Sequence, residues 1–147
     1  MSEKRPVGRP RKIESPEKLK EYFVAYEKET KSNPFLVKDW VGKDADQVYR
    51  EKERPLTMEG FEIWLSNNGI VEDLGGYMAN SNGSYSEFST ICTHIKKAIR
   101  KDQIEGGMSG MYNPSITQRL NNLKEEVSHS GEITNKVVRV SIKKNDE

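Results

Sequence analysis

The chain has 147 residues, 33% of them hydrophobic and 32% charged, with a mean hydropathy of −0.85 and a net charge of only +1. Its single cysteine, Cys92, excludes an intrachain disulfide, and with only His94 and His129 beside it no tetrahedral Cys/His metal set can form within one chain. The sequence contains no apolar run near the ~18 residues of a membrane span and no signal-peptide core, so a soluble, cytosolic protein with no membrane contact is expected. The near-neutral total hides segregation. Lys4, Arg5, Arg9, Arg11 and Lys12 stand against Glu3 alone, and Lys96, Lys97, Arg100 and Lys101 form a second basic run without an acid. Segregated charge suits a protein that meets a polyanion at chosen places. A chain this polar is also a candidate for self-association.

Residues 1–14 lack apolar periodicity and read as a disordered basic arm. Ser15-Pro16 supplies a cap and a proline at the first helical position, and Leu19, Tyr22, Phe23 and Tyr26 share one face of the helix that follows. Asn33-Pro34 ends it. Phe35–Val41 and Gln47–Arg50 flank a turn-rich stretch and predict a short β-hairpin, broken at Arg54-Pro55. Thr57 caps a helix carrying Met58, Phe61, Trp64 and Leu65 inward, and Asn67-Asn68-Gly69 turns the chain. A second short helix is expected over Val71–Ala79, followed by the loop Asn80–Gly83.

Ser84-Tyr85-Ser86-Glu87 has the form of a capping box and predicts a long helix over Ser84–Glu105, lined by Phe88, Ile91, Cys92, Ile95 and Ile99. Gly106-Gly107 and Gly110 read as a flexible joint. Asn113-Pro114 restarts a helix to about Glu126, with Ile116, Leu120 and Leu123 inward. Partial alternation over Ile133–Ile142 predicts a C-terminal strand, whose partner would be the hairpin, another protein or copies of itself. The organisation that results is an arm (1–14), a helix-turn-helix region (15–83), a helical hairpin for oligomerisation (84–127) and a strand with tail (128–147). The fold class is mainly α, with a small β-hairpin and a C-terminal strand.

The sharpest local signal is Arg5-Pro6-Val7-Gly8-Arg9-Pro10-Arg11-Lys12. Its prolines favour extended backbone, and Gly8 lets that backbone sit deep in a minor groove about 6 Å wide. Arg9 and its neighbours would then lie where narrow A·T tracts concentrate negative potential. The segment resembles an AT-hook through its Gly8-Arg9-Pro10 core and flanking cations; a solvated basic tail or a targeting peptide is the plainer alternative. The helix pair across Met58–Ala79 has the layout of a helix-turn-helix, although any small helical bundle contains such pairs. Glu72 and Asp73 at the start of its second helix repel phosphates, which leaves Asn80, Ser81 and Asn82 as polar contact groups there. Lys96, Lys97, Arg100 and Lys101 could track phosphates along the long helix, or simply form its solvated side. No phosphate loop, nucleophile elbow or paired acid and base emerges, so no catalytic residue and no cofactor is expected.

Taken in order, these segments resemble the small terminase subunits, the DNA-packaging proteins of headful-packaging tailed bacteriophages. The likeness is carried by Gly8-Arg9-Pro10 through Ser15-Pro16-Glu17, then Asn33-Pro34, Leu56-Thr57-Met58, and Asn113-Pro114-Ser115-Ile116 leading into Leu120-Asn121-Asn122-Leu123-Lys124-Glu125. The resemblance implies a non-enzymatic subunit of the host cytoplasm that binds double-stranded viral DNA at the packaging-initiation site. It also implies a closed homo-oligomeric ring, roughly eight to ten subunits, that recruits and regulates the large terminase subunit. Phe88, Ile91, Ile95 and Ile99 with Ile116, Leu120 and Leu123 would form the intersubunit core. The C-terminal strand would serve a central β-structure or large-subunit docking. A helix-turn-helix regulator or nucleoid-type protein could use the same elements, as could a scaffold whose basic regions meet only protein.

Overall fold

The computed structural model describes residues 12–123. Helix α1 (Pro16–Ser32) begins as expected: the Ser15 hydroxyl accepts from the Lys18 amide at 3.2 Å, and Pro16 has no N–H that would need an acceptor. Strands β1 (Phe35–Val41) and β2 (Asp46–Lys52) pair antiparallel, with Phe35 opposite Lys52 and Val41 opposite Asp46. Helix α2 (Met58–Asn67) is capped by Thr57, whose hydroxyl accepts from Gly60 N at 3.0 Å, and Gly69 at φ +67° turns the chain away.

The core is built where α1, α2 and the long helix α4 (Ser89–Met108) converge. Leu19, Phe61, Leu65, Leu74, Phe88 and Ile95 are fully enclosed. Phe23 meets Phe61 edge to face with ring centroids 5.3 Å apart, and Tyr77 meets Phe88 in the same way at 5.0 Å. Such aromatic pairs add about 0.5–1.5 kcal/mol each beyond their buried area.

Five expectations change. Ile13, assigned to the arm, is 1% exposed, and its amide donates to the Tyr77 hydroxyl at 3.1 Å. The second helix of the predicted helix-turn-helix is a single turn, α3 (Gly75–Met78), because Asp73 Oδ1 accepts from the Gly75 amide and holds the preceding residues in a turn. Helix α4 starts at Ser89, beyond the capping-box sequence, after 3₁₀ turns at Ser81–Gly83 and Ser86–Phe88. Asn80 and Asn82 are left-handed there, and Tyr85 is held over Tyr77 at 4.3 Å between centroids.

The predicted joint at Gly106-Gly107 is the buried last turn of α4. A Cβ on Gly106 would run into the Tyr112 ring, and one on Gly107 would lie 2.8 Å from Thr117 Cγ2. These glycines serve close packing, and only Gly110, at φ +76°, turns the chain. Finally, α5 (Pro114–Leu120) is short, closed by Asn122 in the left-handed conformation and by Leu123 N donating to Gln118 O. It turns Thr117 and Asn121 inward. Ile116, Leu120 and Leu123, expected to face in, are 56%, 64% and 40% exposed. The predicted strand Ile133–Ile142 lies outside the described residues.

Candidate nucleic-acid interface

Of the basic arm, Arg5, Gly8, Arg9, Pro10 and Arg11 lie outside the described residues, and Lys12 is exposed at their boundary. The next residue fixes where the arm leaves the protein. Ile13 is seated in the core beside Tyr77, whose ring packs at a tilt against Tyr85, and the Tyr85 amide donates to Asn80 Oδ1 at 2.9 Å. The base of the arm and the Asn80–Tyr85 loop therefore occupy one end of the molecule. Asn80 is already engaged as a brace, since its Nδ2 also donates to Ser86 Oγ at 3.3 Å. Asn82 is exposed at φ +58°, a backbone state asparagine tolerates better than most residues.

From that end α4 runs about 30 Å along the molecule. Ile91, Cys92, Ile95 and Ile99 turn into the core, and Lys96, Lys97, Arg100 and Lys101 occupy an arc of about 140° on the other side. The structure separates these four cations by role. Arg100 Nη1 donates to the Asn121 carbonyl at 2.7 Å and so fastens α5 to α4. Lys96 and Lys97 are exposed, and Lys101 approaches Glu105 at a loose 3.8 Å. His94, Lys97 and Lys101 also border a shallow groove against α1, where they face Lys20, Val24 and Glu27. The residues expected to join copies fall into two sets: Phe88, Ile91, Ile95 and Ile99 are enclosed in the chain's own core, while Ile116, Leu120 and Leu123 face outward.

Sequence reasoning missed the polar junction that holds this face to the hairpin. Lys31 Nζ lies 2.5 Å from Asp102 Oδ1, 2.7 Å from Glu53 Oε1 and 2.8 Å from the Tyr112 hydroxyl, and it donates to the Arg54 carbonyl. Asp102 Oδ2 accepts from the Leu56 amide at 2.8 Å. Burial alone would push the Lys31 ammonium down, but hydrogen bonds to Asp102, Glu53 and Tyr112 outweigh it and hold its pKa above the ordinary lysine value. Burial raises the Tyr112 phenol against the opposing effect of Lys31. Gln103 continues the network to Leu56 O and to Asn121 Nδ2. Burial also pushes the Cys92 thiol up, with Lys96 acting the other way. Among the described residues, no three His, Cys, Asp or Glu side chains group as metal ligands, and no helix is long and apolar enough to cross a membrane.

The arrangement is a basic helix face and an arm anchor on one body. No curated protein matches the chain. The family model described as "DNA-packaging protein gp3" matches residues 8–125, from the Gly8-Arg9-Pro10 core to just beyond α5. The chain therefore belongs to this phage DNA-packaging protein family.

Proposed function

We propose that this protein is the small terminase subunit of a tailed phage: a non-enzymatic component that binds viral double-stranded DNA at the packaging-initiation site in the host cytoplasm. In this reading it assembles into a ring and presents the DNA to the large ATPase-nuclease subunit. The observation that carries the reading is membership of the DNA-packaging family across residues 8–125. The sequence order of arm, helix pair and C-terminal helix supports it, as does the exposed apolar side of α5. DNA contact is assigned to the AT-hook-like arm and to Lys96, Lys97 and Lys101 on α4. The α2–α3 pair contributes as a helix-turn-helix-like support, since one turn of helix at α3 is too short to read a major groove along its length.

Fluorescence anisotropy across a salt series tests the DNA half. Each lost phosphate contact should lower the slope of log K against log[salt] by roughly one unit. Lys97→Glu with Lys101→Glu should therefore flatten the slope by about two units, and removal of residues 1–11 should weaken A·T-rich duplexes most. If neither change moves affinity or slope, the DNA assignment is wrong. Native mass spectrometry with and without the large subunit tests assembly and recruitment; a chain that remains monomeric and leaves the ATPase unaltered would refute both.

A further inference from the structure

Most of the exposed large apolar side chains among the described residues gather in two places. The first is the hairpin. Its register sets Leu36, Lys38 and Trp40 on the same face as Gln47, Tyr49 and Glu51. Leu36, Trp40 and Tyr49 are 66%, 57% and 62% exposed, even with the Lys38 ammonium 4.8 Å from the Trp40 ring centre. Together they leave roughly 400 Å² of largely apolar surface in water, comparable to the largest apolar patch of a typical soluble monomer, which is often functional. The second is the outer side of α5. Ile116 and Leu120 lie one helical turn apart there and Leu123 follows just past the Asn122 turn, with Met111 nearby in sequence and also exposed, while Thr117 and Asn121 are buried.

Three arguments join the two patches. A lone two-stranded hairpin is marginal in water and gains stability when a third strand or a helix covers one face. The patches also differ in shape, one a broad aromatic sheet face and the other a narrow aliphatic helical ridge. One ion pair is available across such a contact: Lys38 lies against Trp40 at the centre of the hairpin face, Glu51 stands at its end opposite Leu36, and the exposed Arg119 flanks the α5 ridge. Pairing like with like about a two-fold axis would cover one patch on each copy and leave the other in water. A head-to-tail contact covers both at every joint, and repetition of such a contact closes a ring when its rotation permits.

We propose that the Leu36–Trp40–Tyr49 face of one copy docks on the Ile116–Leu120–Leu123 ridge of the next. The proposal rests on the self-assembly part of the function above and adds which surfaces meet. Complementation by native mass spectrometry of the full chain at micromolar concentration tests it. One variant carries Trp40→Ser and Tyr49→Ser, the other Ile116→Glu and Leu120→Glu; all four side chains are exposed, and circular dichroism checks each fold. Each variant alone should be monomeric, and an equimolar mixture should give a one-to-one heterodimer, because one intact hairpin then meets one intact ridge. Assembly of either variant alone, or a mixture of folded monomers, would overturn the head-to-tail contact while leaving ring formation standing. A monomeric wild-type chain would instead sink the self-assembly reading itself. Should the hairpin variant unfold, Glu51→Arg replaces it, with loss of assembly expected alone and recovery expected with Arg119→Glu; no recovery also overturns the contact.

Discussion

Asp102 accepts from Lys31, Tyr112 and the Leu56 amide at once, so three segments distant in sequence depend on one carboxylate. Its removal would take one of two carboxylates from the partly buried Lys31 ammonium, which keeps Glu53, and would leave the Leu56 amide without its acceptor. Asp102→Ala should therefore cost roughly 2–3 kcal/mol of unfolding free energy, read by urea denaturation. A loss under half a kcal/mol would mean that solvent replaces the carboxylate freely. The same junction sets an alkaline limit. Lys31 and Tyr112 both hold their protons more tightly in the folded chain than in the unfolded one. Their contribution is complete below the unfolded pKa values near 10, and it declines as pH climbs through the raised folded values. Stability should fall above about pH 10, and Lys31→Met should show a shallower fall over that range despite a lower starting point. Parallel curves for the two proteins would remove Lys31 from the account.

At the scale of elements, α4 and α5 meet because Gly106 and Gly107 leave room for Tyr112 and Thr117. Gly106→Ala raises helix propensity by up to about 1 kcal/mol, yet it must displace a ring, and overpacking of that kind costs about 1–3 kcal/mol. Net destabilisation by thermal melting is the expected outcome; a stabilised variant would restore the flexible-joint reading. That reading failed because sequence shows a glycine pair but not the partner that closes on it. Local signals with local partners fared better. Ser15, Thr57 and Asn113 cap the helices predicted from them, since a cap is settled within three or four residues. The hairpin was legible from Phe35–Val41 and the turn after it, and so were the inward faces of α1, α2 and α4. Helix α5 was assigned the wrong inner face because its apolar triplet obeys helical spacing whether a core or another surface receives it. The Lys31 junction joins residues 71 positions apart and leaves no periodic trace. Of the interface, the basic runs were visible, but the use of Arg100 as a clasp for Asn121 depends on a backbone carbonyl that composition cannot reveal.

For the whole molecule, the seating of Ile13 matters more than its single side chain suggests. Replacement by serine should destabilise the body by about 2–4 kcal/mol and detach the base of the arm. Under conditions where the variant remains folded, affinity for A·T-rich duplex should drop several-fold, because a looser tether lowers the local concentration of the arm. Anisotropy would show it, and an unchanged affinity would reduce Ile13 to a packing residue. The anchor also acts as a short leash. Arg9 is four residues from Ile13, so it can stand no more than about 14 Å from the point where the chain enters the core. One turn of duplex spans about 34 Å. In the DNA-binding reading proposed above, with the reach of the arginine side chain added, a minor groove held by Arg9 would lie within one turn of duplex of the Tyr77 end, so the arm would limit both the position and the rotational phase of the DNA against the protein.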